Sequence, residues 1–496
     1  MELELKFAEL ACCEPVGDLV TTQEESMETA IPEYCPDIAR IVDTVGQLRL
    51  REKHPAGQQL TMGGSVVLTV LYTSEESAGL RSLSMEVPFS CQVEDKRLAD
   101  CDAVCVTGRL LLAEAKAVTA RKLYLRVMPE FTVSGYARRR QRLCCGTEED
   151  PALRVRRQEA ELELLTAVEE REFSFAQEVT PDGPPPEDVL MERTAARVEE
   201  CRRVGSRLVL KGQAEVCVLY RGENQELAAY RTALPFSQLL DGVELPEGAE
   251  TEARIQWASS EIRVLRTENG PAFGITVTVC AVLLVRRKQQ VSYIEDLYSL
   301  HHAAQVRRQE TPLPVAWQRD IPNQEAVQQL EFGQGRPFAY LTAAECSGVS
   351  TVQEGGGPAL RCTVRLRVLY LDESGTPVCA ERSAEVTAPA AWEPQTVQAA
   401  CGLPQMQITG STCRLSVPVR FEARRCLRRP VAAVTAVELQ DPPEGPQPSL
   451  ILRRMAEGET LWDIARQYRT DEEAIRAANE LTEDRPEGML LIPRVR

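Results

Sequence analysis

At 496 residues the chain is too long for one hydrophobic core, which rarely grows past ~250–300 residues, so several folding units are expected. Its 43% apolar and 26% charged residues are ordinary for a globular protein. A net charge of -17 and a pI near 5.0 exclude nucleic acid or an anionic membrane as the main partner, because both require a basic footprint.

In chain order, Met1 to Leu10 lacks a basic segment followed by an apolar core, so it does not read as a secretory signal. No run of ~20 apolar residues follows, so no transmembrane helix is expected, and the expected location is a cytoplasm. Cys35-Pro36-Asp37-Ile38-Ala39-Arg40-Ile41-Val42 places proline at a first helical position and Asp37 near a positive helix end, which predicts a short helix. Gly63 to Tyr72 is rich in β-branched residues, opens on a glycine break and predicts a strand. A polar turn and a second apolar segment ending in Pro88-Phe89-Ser90 follow, then strand-like runs over 103–112 and 123–133.

The strand ends in Val70-Leu71-Tyr72, and that tripeptide returns at Val218-Leu219-Tyr220 and Val368-Leu369-Tyr370, a period of about 150 residues. Val155-Arg156-Arg157-Gln158-Glu159 likewise returns as Val306-Arg307-Arg308-Gln309-Glu310. A repeat this long is a whole domain copied, not a solenoid unit of ~20–50 residues. The second copy repeats Pro-Phe-Ser at Pro235-Phe236-Ser237; the third has Thr387-Ala388-Pro389-Ala390 there. In the third copy Arg361, Thr363, Arg365 and Arg367 alternate with apolar residues, a strand with one dry and one wet face. Short-spaced strands with glycine and proline turns predict a mainly β chain of tandem antiparallel β-sandwich-like domains. The boundaries are 1–150, 151–302 and 303–440, then a proline-rich linker at 441–449, a stiff spacer, and a small unit at 450–496.

Seventeen cysteines, an odd number, are scattered, and Cys217, Cys280 and Cys362 sit in apolar strand-like runs, as reduced buried thiols do. Apart from the neighbours Cys12-Cys13 and Cys144-Cys145, no Cys-x-x-Cys pair occurs (the nearest to one is Cys101-x-x-x-Cys105), and the histidines are only His54, His301 and His302. No metal site and no cofactor are therefore expected. Neither a phosphate loop, nor a Gly-x-Ser-x-Gly elbow, nor a His-Glu-x-x-His helix is present, so no catalytic residue is assigned and the protein is expected not to be an enzyme. Gly355-Gly356-Gly357 reads as a hairpin turn, His301-His302 as a solvated junction, and Arg138-Arg139-Arg140 and Arg424-Arg425 with Arg428-Arg429 as solvated strand ends.

In the last fifty residues Leu450 to Met455 predicts a strand, and Thr460-Leu461-Trp462-Asp463 has the capping-box pattern before a helix. Thr470 to Glu473 opens a second helix, and Met489 to Ile492 closes with a strand, giving a small βααβ unit. These residues resemble a LysM module: Gly458-Glu459-Thr460-Leu461-Trp462-Asp463-Ile464-Ala465 looks like that family's signature, and Asn479 and Leu481 fall where its Asn-x-Leu does. Arg469 stands where that family usually has glycine, and Pro486-Glu487-Gly488-Met489 replaces its usual Pro-Gly-Gln. The resemblance implies a groove that takes N-acetylglucosamine polymers or a protein partner, with Gly458, Thr460, Leu461, Trp462, Asn479 and Leu481 as the candidate binding residues.

The repeats, with Cys35 to Ile41, the three Val-Leu-Tyr strands and Tyr293-Ile294-Glu295-Asp296-Leu297-Tyr298-Ser299, resemble the SPOCS domain. Several such domains followed by one LysM is similar to the arrangement of clostridial SipL-like spore-coat morphogenetic proteins. That resemblance implies a non-enzymatic adaptor of spore-coat assembly in the mother cell, at the forespore surface. It would dock the coat base-layer morphogenetic ATPase through the LysM module, with other coat proteins or a second copy as further partners. The alternative is a peptidoglycan- or N-acetylglucosamine-binding wall or cortex protein.

Overall fold

The computed structural model describes residues 2–76, 79–268, 270–331, 338–441, 450–481 and 488–493, and it is mainly β with two helices near the C-terminus. Each Val-Leu-Tyr strand is the central member of a three-stranded antiparallel sheet. Gln59–Thr73 lies between Arg40–Ala56 and Leu80–Glu94, Arg207–Gly222 between Pro186–Val204 and Leu227–Leu240, and Gly357–Leu371 between Ala339–Glu354 and Pro377–Pro389. A second sheet in each repeat forms around a long strand: Lys122–Thr147, Gly270–Ser299 and Thr412–Gln440. The predicted helix over 35–42 does not form. Residues 33–39 are a turn leading into Arg40–Ala56, and Arg121 holds the turn through Asp37 (2.7 Å) and the Cys35 carbonyl (3.1 Å). Local capping signals lose there to strand pairing on either side.

The tripeptide is explained by strand alternation, which sends neighbouring side chains to opposite faces. Val70 and Tyr72 enter a core shared with Leu123, Leu125, Val127 and Phe131 of the long strand. Val218 and Tyr220 meet Phe273, Ile275 and Val277 in the second repeat, and Val368 meets Leu415, Val417 and Phe421 in the third. The intervening leucines point the other way. Leu71, Leu219 and Leu369 converge in one cluster with Leu190, Met191 and Tyr340, so a single seam joins all three repeats. A second shared cluster takes Leu10 and Leu143, Leu162 and Val291, and Leu313 and Val431 from the long-strand sheets. Polar contacts cross the same seams: the Tyr340 hydroxyl donates to the Cys217 carbonyl (3.2 Å), and Arg367 donates to Asp43 (2.8 Å) and the Thr44 carbonyl (2.7 Å). The repeats are packed around common apolar seams and not strung in line.

The Pro-Phe-Ser motif answers a glycine. Gly64 faces Phe89 across the ladder and Gly212 faces Phe236. A Cβ at either glycine would lie 2.2 Å from a backbone carbonyl oxygen, so only glycine fits, and the phenyl ring covers the bare backbone. The third repeat has Cys362 opposite Val386 at that ladder position. Its missing Pro-Phe-Ser is a compensated exchange: a side chain in place of glycine, a smaller partner in place of phenylalanine.

The basic runs are ion-paired. Arg139 meets Asp100 (3.1 Å), Arg428 meets Glu14 (3.2 Å), and Arg424 meets Glu252 (3.1 Å) of the second repeat. Gly355 and Gly356, both with positive φ, make the expected hairpin between Ala339–Glu354 and Gly357–Leu371. Of the proline-rich linker at 441–449, residues 442–449 lie outside the described residues. Among the described residues no helix is long and apolar enough to cross a membrane.

Candidate functional site

The C-terminal unit has the predicted order: strand Leu450–Arg454, helix α1 Leu461–Tyr468, helix α2 Glu472–Ala478 and strand Met489–Pro493, with the two strands paired antiparallel. Thr460 and Asp463 close a full capping box at α1: the Thr460 hydroxyl accepts from the Asp463 amide (3.2 Å), and Asp463 accepts from the Thr460 amide (3.0 Å). The hydrogen bond from the Thr460 side chain holds the Asp463 carboxyl below the usual carboxylate range, despite some burial. Because the folded pKa is lowered, this stabilisation is full above the ordinary Asp value of ~3.9 and fades as pH falls through the folded value. Thr460→Ala is expected to cost about 1 kcal/mol. Hydrogen exchange of the α1 amides at pH 7 checks this, and the difference from the parent should shrink in acid.

Of the other candidate residues, several are structural. Leu461 is buried in the unit's core with Ile464, Ala465 and Ile475, and Leu481 packs at its edge. Asn479 is a staple: its amide nitrogen donates to the Ile475 carbonyl (2.8 Å) and the Leu491 carbonyl (2.6 Å), and its oxygen accepts from the Leu491 amide (2.7 Å). The two bonds to Leu491 tie the end of α2 to the last strand, the one to Ile475 closes the last turn of α2, and together they account for asparagine at this position without a ligand. Arg469 caps α1 with φ 52°, a left-handed conformation that glycine adopts more cheaply. Gly458 turns the chain into α1 at φ 82° and is exposed, with Ala456 and Glu457 beside it. Of Pro486-Glu487-Gly488-Met489, only Gly488 and Met489 fall among the described residues.

Trp462 does something the sequence did not indicate. Its indole nitrogen donates to Asp296 (2.8 Å), and its ring stands edge-on to Tyr298, with centroids 4.9 Å apart and planes at 72°. Asp296 and Tyr298 belong to Tyr293–Ser299, at the end of the second repeat's long strand. Asp296 is only 3% exposed and is a hub: its two oxygens also take Arg466 of α1 (3.1 Å) and Arg308 of the third repeat (2.6 Å). The Tyr298 hydroxyl donates to the Thr470 carbonyl between the helices (2.9 Å), and burial pushes the phenol's pKa up. Arg154, paired with Tyr298 in the ladder, grips both oxygens of Asp471, one at 2.8 Å. Ala152, Tyr298 and Leu300 complete the apolar core of the C-terminal unit.

The unit is therefore mounted on the second repeat through the Trp462 face of α1, while the turn at 456–458 stays open to solvent. Sequence reasoning had singled out the Asp296-Leu297-Tyr298-Ser299 motif and the Arg307-Arg308 echo, but no local signal tied either to Trp462, about 160 residues away. Among the described residues no group of three or more His, Cys, Asp or Glu is placed to hold a metal ion. Comparison with curated proteins and with solved structures gives no match for the chain. Residues 456–487 match the family model for the LysM domain, and the C-terminal unit is accordingly a LysM domain.

Proposed function

We propose that the protein is a non-enzymatic adaptor whose three β-sandwich-like repeats form a rigid base and whose LysM domain is the recognition head. The observation that carries this reading is the mounting itself. Asp296, Tyr298 and Arg154 fix the domain so that the Ala456-Glu457-Gly458 turn faces outward. The tandem motifs resembling SPOCS domains extend the reading to spore-coat assembly in the mother cell, with the coat base-layer ATPase as the docked partner. Glycan binding is the second reading, and the LysM match favours it, since that family commonly takes N-acetylglucosamine polymers.

One pair of experiments separates them. Full-length protein is incubated with insoluble peptidoglycan and, separately, with the immobilised coat ATPase, using the parent and a variant with Ala456→Arg and Glu457→Arg in the exposed turn. Retention on the ATPase that falls about tenfold in the variant, the scale of a single interface anchor, supports the adaptor. The same pattern on peptidoglycan alone supports the glycan reading. Binding to neither removes the LysM domain as the recognition head.

A further inference from the structure

We propose that Cys346 and Cys401 are a redox-responsive pair that a small disulfide such as oxidised glutathione converts into a cross-link between the two sheets of the third repeat. Their sulfur atoms are 3.2 Å apart. Cys346 lies opposite Val364 in the Val-Leu-Tyr sheet, and Cys401 lies opposite Val419 in the long-strand sheet, so a bond between them would span the repeat's core. Both are half-buried, and both line an open cavity of about 720 Å³ where all three repeats meet, which gives a small disulfide a way in.

The arrangement is particular to the third repeat. The ladder position held by Cys346 is Leu48 in the first repeat, opposite Val66, and Ala196 in the second, opposite Ala214. The third repeat is also where the sheet edge is broken. Ala103–Thr119 and Ala249–Thr267 are continuous edge strands in the first two repeats, whereas the third has two short pieces, Thr396–Cys401 and Gln405–Thr409. A cross-link at Cys401 would secure the end of the first piece.

The chemistry balances as ordinary thiol–disulfide exchange. The Cys401 thiolate attacks one sulfur of oxidised glutathione and expels one glutathione thiolate, leaving a mixed disulfide in the cavity. Cys346 then attacks the Cys401 sulfur and expels the second glutathione. The two protein thiols lose two electrons and two protons in total, and the small disulfide is reduced to two thiols. The order follows from the surroundings of Cys346. A hydrogen bond with Cys362 lowers its pKa, but one with Cys401 and burial raise it, to a net value of about 12. Its thiolate is scarce at neutral pH, so it reacts in the second step, where the mixed disulfide on Cys401 holds the target sulfur beside it. Cys362, only 1% exposed, has no access to the oxidant.

The test is native oxidation of the reduced full-length protein with oxidised glutathione, then alkylation, non-reducing digestion and mass spectrometry. The parent should give one linked peptide pair carrying Cys346 and Cys401, 2 Da lighter than its reduced components by loss of two hydrogens. Cys346→Ser should lose the link and accumulate a glutathione adduct on Cys401. Cys401→Ser should show neither, and Cys362→Ser should keep the link. Parent protein in which both thiols remain alkylatable, or in which Cys401 stays glutathionylated with Cys346 present, overturns the proposal. So does a link that joins Cys362 instead.

Discussion

Asp296→Ala is expected to release the LysM domain from the second repeat without unfolding it. The carboxylate takes the Trp462 indole, Arg466 and Arg308 together, at a site only 3% exposed. Removing one partner of a buried ion pair costs ~3–5 kcal/mol. The low end, about 3 kcal/mol, applies here, because the Arg308 and Arg466 side chains are each 37% exposed and regain water once freed. Release uncovers the side of the core that Tyr298 and Leu300 close, but Leu461, Ile464, Ala465 and Ile475 keep packing with Leu490 and Ile492, so the helices should persist. The expected result is a red shift of the Trp462 fluorescence and a larger radius of gyration, with helical circular dichroism unchanged. Trp462→Phe, which keeps the ring against Tyr298 but drops the donor, should give a smaller expansion. An Asp296→Ala protein with the parent's scattering profile would mean that the hub does not hold the domain.

This mounting bears on how LysM signature residues are read. Gly458 supplies a positive φ, Thr460 a cap, Leu461 a core side chain and Asn479 a three-bond staple. A pattern that identifies the family can consist mainly of residues that make the fold, which leaves the variable, exposed positions around them to choose the ligand. In this chain the exposed turn residues are Ala456 and Glu457, and the proposed binding experiment is aimed at them for that reason.

What the sequence made legible was what is local and periodic. Alternation around Val-Leu-Tyr located the central strands, and the capping box located α1, because each depends on residues within one element. The helix expected over 35–42 does not form, although Pro36 and Asp37 carry a first-turn signal, because strands pair on either side and Arg121, distant in sequence, holds the turn at 33–39. The loss of Pro-Phe-Ser in the third repeat has its reason across the ladder, where Val386 stands opposite Cys362 and the other repeats place phenylalanine opposite glycine. The Asp296 clamp was out of reach for the same reason. It joins residues 296, 308 and 462, whose proximity is set by how whole sheets pack, and no spacing rule connects them.

The seam formed by the three leucines leads to the second large effect. Leu219 is fully buried and belongs to the cluster shared by all three repeats, not to the core of its own repeat. Leu219→Ala should cost about 2–5 kcal/mol, as for other leucines truncated in close-packed interiors. Leu239 in the same repeat is 42% exposed, and its replacement by alanine should stay within about 0.5 kcal/mol. The informative quantity is how the loss is distributed. If the repeats were independent beads, urea unfolding would show separate transitions, and Leu219→Ala would move only the one belonging to the second repeat. Because Leu71, Leu219 and Leu369 share one cluster, and the long-strand sheets share another, opening one repeat exposes apolar surface on its two neighbours. The expected outcome is a single cooperative transition of the β body, followed by intrinsic fluorescence and by circular dichroism with coincident curves, whose midpoint falls as a whole in Leu219→Ala. Such coupling is what a base needs if it is to hold one small domain in a fixed direction, since a load on the LysM domain enters at the second repeat through Asp296 and Tyr298 and is shared by all three.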